Sequence, residues 1–167
     1  MTPSGPDTAA DSGGGYPRRI AVVGCGGSGK TYVARALAAK HGLPLVHADG
    51  IVYRNGILQP ETEWQAELHA RADEGAWVID AMKLSILEYR VARADTVVFL
   101  DVPRRWCYLG LLQRRARRRD VLNVQFLRWI WRFPREARPR IIELLERHRS
   151  STDVVVLRSR REVRRYL

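Results

Sequence analysis

The chain has 167 residues and a formal net charge of +11, from 29 Lys and Arg against 18 Asp and Glu. That length suits one domain with a proper core. No uncharged apolar run approaches the ~20 residues of a membrane span, and the two cysteines supply neither a disulfide framework nor metal-ligand spacing. A reducing cytoplasm is the expected setting.

The first seventeen residues, MTPSGPDTAADSGGGYP, lack the basic start and apolar core of a secretory signal and read as a disordered tail. Residues 18–167 read as a single domain. Arg19-Ile-Ala-Val-Val-Gly24 is a short apolar strand, and GCGGSGKT follows it directly. Gly24, four residues, Gly29, Lys30 and Thr31 have the spacing G-x-x-x-x-G-K-[ST] of a phosphate loop. In such a loop successive backbone N–H groups turn inward around the phosphates of a nucleoside triphosphate. The expected cradle is Gly24, Gly26, Gly27, Ser28, Gly29, Lys30 and Thr31, with Lys30 on the β and γ phosphates and the Thr31 hydroxyl on Mg²⁺. The alanine-rich stretch from Thr31 to His41, stopped by Gly42, predicts a helix whose N-terminal dipole adds to the anion site. Cys25, inside the loop and near that N-terminus, is placed where thiolates are favoured.

Four further short apolar strands are predicted, at 44–47, 77–79, 96–100 and 153–157. Helices are expected between them near 61–74, 83–93, 104–118, 122–132 and 136–149, with a last turn or two at 160–167. Short apolar strands alternating with helices indicate a parallel sheet covered on both faces. In open sheets of this kind ligands bind beyond the carboxyl ends of the strands. The phosphate loop, Asp49, Asp80 and Asp101 all fall at such ends. Asp80 is the candidate for orienting Mg²⁺ and its waters. Asp49 is the candidate for positioning or deprotonating an acceptor hydroxyl, or for holding a metal-bound water. Asp101 reads equally as a helix cap, and His47 near the same edge reads as a packed residue.

No [NT]-K-x-D guanine-reading motif and no glycine-rich transporter signature follows the loop. The small P-loop kinases remain. Charge is split along the chain. Residues 1–103 carry 10 basic and 12 acidic side chains, whereas residues 104–167 carry 19 basic and 6 acidic ones. Clustered arginines repel one another unless an anion approaches.

Taken in order, GCGGSGKTYVARALAAKHGLPLVHAD, WVID, ADTVVFLDVPRRWC, LRWIWRF and VLRSRREVRRYL resemble the DNA topology-modulation, FlaR-like branch of the adenylate-kinase-like P-loop proteins. The resemblance implies a three-layer P-loop fold, a five-stranded parallel sheet in the order 2-3-1-4-5, and descent from ATP-dependent phosphotransferases. Two positions depart from the pattern. Asp80 is followed by Ala81-Met82-Lys83 where relatives commonly have Gly-Asn-Tyr. Of the two arginine positions on the helix after LDVP, the first aligns with Gly110 and only the second with Arg114. Lys83 reads equally as a replacement charge and as a solvated residue.

Arg104-Arg105 and the run Arg114 to Arg119 lie where that fold carries a lid, within an arginine-rich helical segment at about 110–140. A lid arginine neutralises charge on the transferring phosphoryl group, and Arg114 is the candidate. The adjoining Phe126-Leu-Arg-Trp-Ile-Trp-Arg-Phe133 also has the mixed aromatic and basic character of a nucleic-acid surface, or of a core face with solvated arginines. The expectation is an ATP- and Mg²⁺-dependent phosphotransferase with a small, nucleotide-like acceptor, with Lys30, Asp49, Asp80 and Arg114 as the catalytic set. The alternative is a nucleotide-regulated nucleic-acid-binding protein.

Overall fold

The computed structural model describes residues 16–118 and 124–167, without the side chains of residues 117 and 118. Residues 1–15 of the tail, and Arg119 at the end of the arginine run, lie outside the described residues.

Five strands form one parallel sheet: β1 (Arg19–Gly24), β2 (Leu45–His47), β5 (Trp77–Asp80), β6 (Thr96–Leu100) and β7 (Asp153–Leu157). Their spatial order is β2-β5-β1-β6-β7. A small antiparallel hairpin, β3 (Tyr53–Arg54) with β4 (Ile57–Leu58), intervenes in the chain but stands outside the sheet. Counting only the sheet strands, the order is the expected 2-3-1-4-5. Ala21 pairs with Ile79 of β5 on one side and with Val97 of β6 on the other, so β1 is central.

Strand periodicity builds the three layers. Successive side chains of a strand point to opposite faces. Ile20 and Val22 join Val98 and Leu100 on one face, under α1 (Lys30–His41) and α7 (Arg160–Tyr166). Ala21 and Val23 join Ile79, Val97 and Phe99 on the other, under α3 (Glu61–Ala72), α4 (Leu87–Val91), α5 (Arg104–Arg118) and α6 (Val124–His148). A short α2 (Ala48–Val52) follows β2. Both faces are covered, which is why these strands read as continuous apolar runs. At the opposite end from the loop, the Asp95 carboxylate accepts from the backbone N–H groups of Arg18 and Arg19 and from the Arg19 guanidinium, fixing the start of β1 against β6.

Two helical expectations change. Where two helices were expected, at 122–132 and 136–149, Val124–His148 is one helix, α6, running through Pro134 and Pro139, and residues 122 and 123 lie outside the described residues. Proline removes a backbone donor from a helix. Here the buried stripe Ile130, Phe133, Ala137, Ile141, Leu144 and Leu145 holds the helix on the sheet despite that loss. Burial of each large apolar side chain contributes roughly 1.5–3 kcal/mol. The second change is at 83–93, which is a single 3₁₀ turn, Leu84–Ile86, followed by the short α4. Arg90 on α4 is wholly buried. One terminal nitrogen donates weakly to the Ala81 carbonyl at 3.4 Å, and its Nε and other terminal nitrogen have no partner among the described residues. Burial brings its pKa down to about 10, partly offset by Asp80 nearby, so it is charged at neutral pH.

Candidate active site

β1 delivers the chain to the phosphate loop, and α1 begins at Lys30 directly after it. Gly29, with φ of 98°, occupies a left-handed conformation that disfavours other residues, and a side chain there would meet only open space. Gly27, with φ of 75°, is restricted twice, because a Cβ would lie 2.2 Å from the Cys107 carbonyl oxygen of α5. The Lys30 ammonium donates back across the loop to the Cys25 carbonyl at 2.9 Å. The Ser28 hydroxyl is buried in the loop without a partner among the described residues, a polar atom with spare capacity.

The Thr31 hydroxyl donates to Asp80 Oδ2 at 2.7 Å, so the loop and the end of β5 present two oxygens at one point. Asp80 is 8 % exposed, and His47 Nδ1 lies 3.5 Å from the same oxygen. Among the described residues no three His, Cys, Asp or Glu side chains form a metal cage. Mg²⁺ does not require one. It is bound through one or two protein oxygens, substrate phosphates and retained waters, and the Thr31–Asp80 pair fits that chemistry.

A cavity of about 740 Å³ unites these groups. Its walls include Gly26, Gly27, Ser28, Gly29, Lys30, Thr31, Asp49, Asp80 and Arg114, together with His47. Of the residues named from the sequence as cradle or catalytic groups, Gly24 alone is not in the wall. It lies behind the loop, where a Cβ would meet Leu100. The cavity size is within the range of about 300–1,000 Å³ usual for small-molecule and cofactor sites. Asp49 enters from the first turn of α2, and Arg114 from α5. Asp101 does not join them. It makes a two-pronged ion pair with Arg138 of α6 at 2.7 and 2.8 Å and serves as a tie between β6 and that helix. Lys83 is also outside the cavity wall, with its ammonium 5.4 Å from the Trp64 ring.

The same walls hold residues that the sequence did not single out for the cavity. Trp106 of α5 carries the Arg160 guanidinium 4.6 Å from its ring centroid, and Arg35, Arg164 and Phe126 are also in the lining. An aromatic beside a strand end gives no motif; only the shared cavity reveals it. The expectation for Cys25 is reversed. Its side chain is 2 % exposed, and a hydrogen bond to Cys107 together with burial pushes the thiol well up, against the Lys30 charge and the Gly26 backbone N–H.

The aromatic and basic segment of α6 is likewise built into the fold. Ile130 and Phe133 are buried, Trp129 stacks on Phe126 and meets Phe133 edge-on, and the exposed Trp131 carries the Arg104 guanidinium 4.1 Å from its ring centroid. This arrangement gives no support to a nucleic-acid surface.

Comparison with known structures matches this architecture. The chain has the fold of the P-loop kinases. Shikimate kinase from Bacteroides thetaiotaomicron superposes with a TM-score of 0.53 at 17 % identity, over 90 % of this chain and 94 % of that one. Shikimate kinase from Acinetobacter baumannii in complex with shikimate gives 0.51 at 18 % identity, over 89 % and 88 %. Deoxyadenosine kinase from M. mycoides with bound dATP gives 0.51 at 10 % identity, over 89 % and 96 %. The sequence matches no protein-family model and no curated protein. Among the described residues no helix is long and apolar enough to cross a membrane.

Proposed function

We propose that this protein is an ATP- and Mg²⁺-dependent phosphotransferase acting on a small, nucleotide-like acceptor. The carrying observation is that Lys30, the Thr31–Asp80 pair, Asp49 and Arg114 share one cavity. In this reading Lys30 holds the β and γ phosphates, the loop N–H groups cradle them, and Thr31 with Asp80 holds Mg²⁺. The metal supplies charge neutralisation on the phosphates when bound. Asp49 orients the acceptor hydroxyl and accepts its proton as the acceptor oxygen bonds to the γ-phosphorus. The bond from that phosphorus to the β–γ bridging oxygen breaks, and ADP leaves. Arg114 faces the charge that develops on the transferring group, the contribution expected of a lid arginine. Trp106 and Arg160, which share the cavity wall, offer the base a stacking surface.

The test is incubation with γ-labelled ATP and Mg²⁺ against panels of nucleotides, nucleosides, small hydroxylated metabolites and RNA. Label is expected on one small-molecule class, and Asp49→Asn should lower its rate by about 10²-fold or more. Label on RNA alone, or ATP binding with no transfer to any panel, would overturn the proposal.

A further inference from the structure

Phe126, near the start of α6, points its ring straight at the phosphate loop. A Cβ placed on Gly26 would lie 2.3 Å from the ring tip, Cζ, and 3.1 Å from each Cε. The ring is not a loose surface residue. It stacks on Trp129 at 5.6 Å between centroids, and Trp129 meets the buried Phe133 edge-on at 5.5 Å. This aromatic ladder runs from the core to the loop and holds the ring in place. The cavity of about 740 Å³ is open with the ring seated, and Phe126 lines it beside Gly26 and Arg114. The ring is therefore a wall of the cavity and not a plug in it.

We propose that Phe126 is the water-excluding wall on the loop side of the cavity, a residue that steers the γ-phosphoryl group to the acceptor instead of to water. The inference rests on the phosphotransferase reading above. In the unwanted reaction a water oxygen bonds to the γ-phosphorus and the bond to the β–γ bridging oxygen breaks, giving ADP, inorganic phosphate and a proton. An apolar ring against Gly26 denies that water a position, the role usually given to closing elements in phosphoryl-transfer sites. It also gives a reason for glycine at position 26, because the ring occupies the space of a side chain.

The experiment measures ADP and phosphate release by the full chain at saturating ATP and Mg²⁺, without acceptor. Phe126→Ala is expected to raise that rate roughly tenfold, with Phe126→Leu between it and the wild type. Phe126 is 40 % exposed, so truncation should leave the fold intact, as circular dichroism would check. A second measurement tests the contact itself. Gly26→Ala should weaken ATP binding by calorimetry, and Phe126→Ala in the same chain should restore part of the loss. An unchanged or slower ATP hydrolysis in Phe126→Ala, or no restoration in the double variant, would overturn the inference while leaving the phosphotransferase reading standing. Failure of the wild type to bind ATP would overturn both.

Discussion

The Lys30 ammonium bridges the loop to the Cys25 carbonyl, and in the proposed function it is the charge that holds the phosphates. Lys30→Ala removes both that bridge and the charge for the phosphates. Charge-assisted contacts are worth about 1.5–3 kcal/mol, so ATP affinity should fall by roughly one to two orders of magnitude, as calorimetry would show. The thiols make a second forecast. Cys25 and Cys107 are both buried, and the hydrogen bond between them holds Cys25 as an unreactive thiol. An aromatic disulfide reagent should label neither in the native protein and both in denaturant; fast native labelling of Cys25 would contradict this packing. At this scale the sequence was legible for position: the spacing Gly24 to Thr31 marks the loop between β1 and α1, and Asp80 closes β5 beside Thr31. It was not legible for Cys25, whose surroundings are set by Cys107, 82 positions away in the chain.

Among the elements, α5 has the closest relation to the loop. A Cβ on Gly110 would lie 2.1 Å from the Gly27 carbonyl oxygen, so helix and loop meet backbone to backbone. That contact accounts for glycine at position 110, where a side chain has no room. Gly110→Ala would improve helix propensity by about 1 kcal/mol, but the overlap should outweigh this. A net loss of roughly 1–3 kcal/mol is expected, read as a lower denaturant midpoint together with weaker ATP binding. The five sheet strands were legible because a doubly covered parallel strand must be apolar throughout. The hairpin β3–β4 was passed over although Asn55-Gly56 marks it. Both residues have positive φ, 53° and 78°, as a two-residue hairpin turn demands. The unity of α6 was hidden by its two prolines, since local propensity argues for a break that only the buried stripe overrules.

For the molecule as a whole, the excess of positive charge is concentrated after residue 103, and part of it reaches the cavity. Among the described residues Lys30, Arg35, Arg114, Arg160 and Arg164 line it, against only Asp49 and Asp80 among the acids. Such a field draws in an anion and is screened by salt. The association rate of a fluorescent ATP analogue should therefore fall steeply between low and physiological ionic strength in stopped-flow measurements. A flat dependence would mean that the arginines are neutralised locally. Arg90 acts on the molecule differently. Its guanidinium lies wholly buried with two nitrogens unpartnered among the described residues, and a charge held this way works against folding. Exchanging buried ion pairs for apolar groups of similar volume is often neutral or stabilising by about 1–4 kcal/mol, and an unpaired buried charge is the costlier case. Arg90→Met should accordingly melt several degrees higher than the wild type, since each kcal/mol corresponds to roughly 2–4 °C at this chain length. The natural sequence would then sit below the thermal ceiling of its own fold, with a single position offering engineers the headroom.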